Sequence, residues 1–298
     1  MRIVSLVPHA TELLFALGAG ANVVGVTHEC DFPPAARERR LLTRDVLAGG
    51  LSAAEIDAAV RARTLAGEAI YELDRDALAA LEPELIVTQA LCPVCAVSYE
   101  EVAEVAKTLP SCPRVIALDP KTFAETLGDV RTLALATGRR EQGEALVAET
   151  AARVERVELA VRGRPRVRVA ALEWLDPVYV AGHWTPELIE LAGGEDVLGA
   201  TGEPSRTVSW GQVAAARPEV VVAMPCGYDE RRAQEEAARY AGELAGVRAR
   251  RIVAVDASAY FSRPGPRLID GLELLAHVLH PQRVARAPAQ AVAPLPTS

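Results

Sequence analysis

Three phrases in the first half of the chain return, in the same order, in the second. Thr11–Gly25 lies on Thr185–Gly199 without a gap, and the two share the leading Thr, Leu14/Leu188, Leu17/Leu191, Gly20/Gly194, Val23/Val197 and the closing Gly. Leu81–Val87 is matched by Ala216–Val222, and Arg114–Asp119 by Arg251–Asp256. A period this long is not that of a solenoid. Although α/β proteins reuse such phrases, three echoes in one order predict a duplicated α/β lobe.

Between the copies, Thr122 to Arg162 reads as helix. Ala136-Thr-Gly-Arg139 carries a C-cap signal, and Arg140 restarts the pattern. The second segment repeats Leu146, Val147, Thr150, Val154, Val157 and Val161 at spacings of three and four. Roughly twenty helical residues span about 30 Å, enough to hold two lobes at a nearly fixed separation. The expected organisation is an α/β lobe at 1–121, a helical connector at 122–164, a second α/β lobe at 165–282 and a disordered tail at 283–298. With 298 residues, half of them apolar, the chain can fill two cores.

A net charge of −8 without any Lys/Arg run argues against nucleic acid or an anionic membrane as partner. No apolar run reaches about 18 residues, so no membrane insertion is expected. The five cysteines (30, 92, 95, 112 and 226) are an odd number and fit reduced thiols better than a disulfide framework. Arg2–Val7 is already a strand, and no charged, apolar and small-residue leader pattern precedes it. A cytoplasmic location is therefore expected, with an extracytoplasmic one the alternative if a leader has been removed; a monomer is expected separately, with the oligomeric state open.

In open α/β sheets ligands collect beyond the carboxyl ends of strands, so the loops there are the candidates. The first strand runs into Pro8, His9, Ala10 and Thr11. Either Thr11 caps the next helix or Pro8-His9 makes the turn before it, and free amides point above the strand end. Asn22–Thr27 delivers His28, Glu29, Cys30 and Asp31 in a loop closed by two prolines. The plain alternative for His28 is a loop histidine satisfied by water or a carbonyl. Ser52, with Glu55 three residues on, forms a capping box. Leu85–Thr88 then leads to Gln89 and to Cys92-Pro-Val-Cys95. That pair is half a zinc site needing His28 and Cys30, a redox pair lacking the usual lobe and preceding Trp, or cleft lining from small polarizable side chains. The third fits best.

In the second lobe, Arg166–Glu173 predicts a strand ending at Trp174, and Ala181-Gly-His183-Trp184 precedes the repeated helix. The chain's three tryptophans, 174, 184 and 210, all stand beside loops of this lobe. Together they predict an aromatic binding wall, although a Trp near a strand end is often core. Asp256–Arg267 adds Phe261 and two cations, Arg263 and Arg267, suited to amides or a phosphate, or alternatively salt-bridged on the rim.

Ile3–Gly18, Val24–Pro33, Thr88–Cys95 and Ser262–Arg267 together resemble the cobalamin-binding branch of the ABC-transporter substrate-binding proteins. That is the helical-backbone class shared with siderophore and haem binders, and the resemblance spans about residues 1–280. It implies two Rossmann-like lobes with parallel-type sheets joined by a single long connector helix, a corrin ring held between strand-end loops, no catalysis and an ABC permease as partner. Contacts to the ligand are then expected from Pro8, His9, Ala10, Thr11, His28, Glu29, Cys30, Gln89, Cys92, Cys95, Trp174, His183, Trp184, Trp210, Phe261 and Arg263. Transport members hold cobalamin without a protein ligand on cobalt. The set His28, Cys30, Cys92 and Cys95 belongs to a less familiar pattern, and His28 is its candidate cobalt ligand. Haem, an iron chelate or a bare metal is the alternative cargo, with few cations for a catecholate complex. A corrinoid-processing enzyme using Cys92 and Cys95 is a third possibility, but no glycine-rich turn for a nucleotide or flavin cofactor accompanies them.

Overall fold

The computed structural model describes residues 1–47, 49–90, 97–284 and 292–294. They divide into two compact units, residues 1–120 with 127–147 and residues 121–126 with 148–298.

The first unit contains β1 (Ile3–Ser5), α1 (Pro8–Ala16), β2 (Val23–Val26), β3 (Arg40–Leu41), β4 (Thr43–Asp45), α2 (Ala53–Leu65), β5 (Tyr71–Leu73), α3 (Arg75–Ala80), β6 (Leu85–Thr88), α4 (Tyr99–Thr108) and β7 (Arg114–Ala117). Its sheet is parallel in the order β3-β2-β1-β6-β7, and β4 pairs antiparallel with β5 in a separate ribbon. Leu13, Leu14 and Leu17 cluster with Val87 and Leu118, whereas Leu78, Val102 and Val105 cluster with Val4, Leu6 and Ile86. Both faces of the sheet are thus covered, which is why its strands read as apolar runs instead of alternations.

Helix α1 begins earlier than a Thr11 cap would allow. Its N-cap is Val7 and Pro8 stands at the first helical position, where the missing N–H costs nothing. Thr11 is therefore an interior, fully buried helix residue. Ser52 and Glu55 form the expected capping box at α2.

Two further helices follow, α5 (Phe123–Ala136) and α6 (Arg140–Val161). Between them Gly138 takes φ +69° and the Arg139 amide donates to the Ala134 carbonyl at 2.7 Å, a C-cap at the predicted place. Val147, Thr150, Val157 and Val161 are buried. The boundary between the units falls inside α6, so the residues read as connector are shared out, 127–147 to the first unit and the rest to the second.

The second unit adds β8 (Val167–Leu175), β9 (Val178–Val180), α7 (Thr185–Leu191), β10 (Gly194–Asp196), β11 (Arg206–Thr207), α8 (Trp210–Ala215), β12 (Val220–Ala223), α9 (Glu230–Arg239), α10 (Ala241–Val247), β13 (Arg251–Val255), α11 (Ala257–Tyr260), α12 (Leu268–Leu279) and β14 (Val292–Pro294). The order β10-β8-β12-β13 is parallel and repeats β2-β1-β6-β7. Register repeats too: Leu85 faces Arg114, and Val220 faces Arg251. The amides of Arg114 and Arg251 donate to the carbonyls of Glu84 and Glu219 at 3.0 and 3.1 Å. The echoed phrases are therefore the same structural positions in two copies of one α/β plan.

The tail needs a correction. Val292–Pro294 is not free chain but pairs antiparallel with β13 as an edge strand. An edge tolerates the proline, since its missing N–H breaks no inner ladder. Residues 285–291 and 295–298 lie outside the described residues. No helix among the described residues is long and apolar enough to cross a membrane.

Arg153 of α6 is tied to α12 by three bonds, from Nε to Glu273 at 2.9 Å and from Nη2 to Glu273 and Asp270 at 2.6 Å each. All three side chains are mostly covered. Removing the guanidinium would leave two carboxylates together without a counter-charge. Arg153→Ala is expected to cost about 2 kcal/mol, read as a lower urea midpoint, and Arg153→Lys to recover only part of it because it lacks the fork.

Candidate functional site

The strand ends of the first unit carry two polar clusters. At the end of β2, His28 donates its amide to Thr43 Oγ1 at 3.2 Å and shares a bond of 2.8 Å between its Nδ1 and that same hydroxyl. Tyr71 lies 5.2 Å from the imidazole and donates its hydroxyl to Glu29 at 3.1 Å. Residues from β2's loop, β4 and β5 are thus joined into one surface, with Nε2 the histidine nitrogen left for an external ligand. A groove of about 930 Å³ runs along this ribbon, lined by Thr43, Tyr71 and the pairs Arg44–Glu72, Arg63–Glu68 and Arg75–Glu101. Its cations are already matched.

The second cluster is closed. Cys30 is 3% exposed, with its sulfur 3.1 Å from Thr11 Oγ1 and 3.2 Å from Thr27 Oγ1. Thr11 donates to Ser5 at 2.8 Å, and Ser5 to the Val7 carbonyl at 3.1 Å. The hydroxyl chain uses Thr11's proton, so at Thr11 the thiol is the donor, as a neutral S–H.

His28 and Cys30 engage different partners and do not build half of a common metal site. Among the described residues no group of three or more His, Cys, Asp or Glu side chains is arranged to hold a metal ion. Cys92 and Cys95 lie outside the described residues. His9, Ala10 and Thr11 are buried with Cys30, so of the Pro8–Thr11 turn only Pro8 retains side-chain surface. Gln89 is 8% exposed at the end of β6, and the next amide, that of Ala90, donates to Asp119 beyond β7.

In the second unit the aromatic wall is largely interior. The Trp184 indole N–H donates to the Phe261 carbonyl at 2.8 Å, and both residues are buried. Trp210 stacks on Tyr240 and packs on the core that includes Val213 and Leu244. Trp184 and Phe261 therefore serve packing, whereas Trp210, the first residue of α8, keeps part of its surface. Trp174 meets Tyr228, a buried residue of the loop after β12, edge-on at 5.5 Å, and Arg232 sits 3.7 Å over that tyrosine ring. Burial raises the Tyr228 pKa. Arg263 and Arg267 both act on Asp256, whose carboxyl burial still pushes upward.

His183 keeps its place as a candidate. It is half-buried, has φ +51°, and is held below the ordinary histidine pKa by burial and by Lys121. A non-glycine residue in that region is a local strain of order 1 kcal/mol that usually marks a function or a tight turn. Nearby Glu173 was legible only as a strand residue. Burial pushes its carboxyl up to about 7 against the pull of Ser205. The available signal was a lone acid between Leu172 and Trp174 at a strand end. Tyr71 had a weaker one, since its partners are β4 and the His28 loop.

Residues 3–259 match the family described as periplasmic binding protein. A vitamin B12-binding protein of Vibrio cholerae serotype O1 is 24% identical over 278 residues, covering 91% of this chain and 86% of the relative. Among solved structures, the periplasmic vitamin B12 binding protein of Vibrio cholerae superposes with a TM-score of 0.67 at 22% identity, covering 93% of this chain and 96% of that one. A periplasmic haem-binding protein from Pseudomonas aeruginosa gives 0.69 at 21%, covering 99% and 95%.

Proposed function

The chain belongs to the periplasmic binding protein family, and from that premise we propose that it is a substrate-binding protein for cobalamin or a related corrinoid, serving an ABC permease from outside the cytoplasm. The observation that carries the ligand is the match to a vitamin B12-binding protein along 91% of the chain. The cytoplasmic location expected from the sequence has no support in these relatives, which are described as periplasmic. Haem is the second reading, because a haem-binding protein shares the fold equally well.

The strand-end loops supply suitable chemistry. Trp174, only half-buried, offers apolar contact area, and Arg263 and the His28–Tyr71–Glu29 surface offer polar groups. His28 Nε2 is the proposed ligand to cobalt.

A visible absorption titration with hydroxocobalamin and haemin tests the reading. Saturable binding of the corrinoid, with a band shift that His28→Ala abolishes, is expected. Corrinoid binding without a shift would remove the cobalt ligand only. A saturable haemin spectrum with no corrinoid binding at tens of micromolar, weaker than about −6 kcal/mol, would replace corrinoid by haem.

A further inference from the structure

The ribbon β4–β5 stands outside the strand order that the two units share. Its register sets Asp45 opposite Tyr71, so Thr43, two residues before Asp45, shares a face with Tyr71. Both side chains serve one loop. Thr43 holds His28 twice, at the amide and at Nδ1. The Tyr71 ring lies 5.2 Å from the imidazole, tilted by 54°, and its hydroxyl ties Glu29 into the same surface. Thr43 and Tyr71 also line the groove of about 930 Å³. The half-buried imidazole therefore stands beside that groove, and Nε2 is the ring nitrogen that Thr43 leaves open.

The Thr43 hydroxyl has one proton to give and two lone pairs to fill. The His28 amide takes one lone pair at 3.2 Å. At Nδ1, 2.8 Å away, either the hydroxyl donates to the ring or the ring donates to the hydroxyl. In the first arrangement the ring proton sits on Nε2. In the second, both N–H groups converge on one oxygen, the ring proton sits on Nδ1, and Nε2 offers a lone pair. Thr43 is buried, and among its described partners Nδ1 is the acceptor its proton meets, so the first arrangement is that of the free chain. A metal at Nε2 requires the second.

We propose that Thr43 is the positioning residue of His28, and that its hydroxyl turns from donor to acceptor when Nε2 takes the ligand's cobalt. This rests on the reading of His28 as cobalt ligand. Nε2 gives its proton to water and Nδ1 takes one from water, so the ring stays neutral. Nε2 displaces the solvent ligand on cobalt, and Nδ1–H then donates to Thr43 Oγ1. A hydroxyl serves both states because it rotates about Cβ–Oγ. A backbone carbonyl could only accept, and a methyl group could do neither.

Two measurements test this on the native protein, Thr43→Val and Thr43→Ser. Long-range proton–nitrogen NMR correlation of the His28 ring needs no ligand. In the native chain and Thr43→Ser it should place the proton on Nε2, with Nδ1 shifted by a bond that Thr43→Val lacks. Hydroxocobalamin is then titrated into the same three proteins. Thr43→Val, nearly the same in shape, should still bind but reach the band shift about tenfold more weakly, and Thr43→Ser should restore it. A ring proton on Nδ1 in the free native protein overturns the proposal, and this result does not depend on Thr43→Val folding. A band shift of native affinity in Thr43→Val overturns it equally, and both results leave the cobalt ligand standing. Absence of any band shift in the native protein removes the cobalt ligand and the proposal together.

Discussion

Gly182→Val is expected to lower unfolding free energy by about 3 kcal/mol, in the upper range for overpacking because the obstruction is backbone. The atoms in the way are the Glu203 carbonyl oxygen, the nearest, and Pro204 C and Ser205 N, each 2.7 Å from the position of a new Cβ. A side-chain end could swing aside; a peptide crossing can move only by releasing the bonds that join His183 to Gly202 and Glu203. The loop would detach, and Ser205 would leave Glu173. Urea denaturation measures the loss, and a cost below about 0.5 kcal/mol would show that the crossing is not tight. Gly138→Ala serves as the contrast, having open space around it and a positive φ as its only constraint.

Glu173→Gln is expected to stabilise the protein at pH 8 by about 3 kcal/mol and to change little at pH 4. The sign follows from the two proton affinities. An ordinary glutamate titrates at 4.5, whereas burial pushes Glu173 in the folded chain to about 7. Between these values the native state holds more protons than the unfolded state, so stability falls as pH rises. Above 7 the full penalty is present, about 2.5 units at 1.36 kcal/mol each. Glutamine carries no charge and escapes it. Urea curves of both proteins at pH 4 and pH 8 give the double difference; a variant equal to or weaker than the native chain at pH 8 would mean that Glu173 is ionised and satisfied there.

Much of the fold was legible because it is written twice. Leu85 and Val220, aligned as text, occupy the same register beside Arg114 and Arg251. The helix break at Gly138 and the capping box at Ser52 rest on local backbone chemistry, which a sequence displays directly. The site was less legible because it depends on long-range closure. Trp184 and Trp210 stand beside loops in the sequence, yet Trp184 is buried with its indole on the Phe261 carbonyl and Trp210 is stacked, partly covered, on Tyr240. Thr11 could be read as a cap or Pro8-His9 as the turn before the helix, but Pro8 itself starts α1 and turns Thr11 inward to Ser5 and Cys30. Tyr71 reaches His28 and Glu29 only through the β4–β5 pairing. Glu173 is one acid among many until the 202–205 loop is seen against Gly182.

The central claim is that this family member carries a corrinoid. Equilibrium dialysis of the purified chain against equimolar cyanocobalamin and haemin tests it directly. One cobalamin retained per chain, undiminished by excess haemin, is the predicted result. One haem retained per chain, with cobalamin equal on both sides of the membrane, would contradict it.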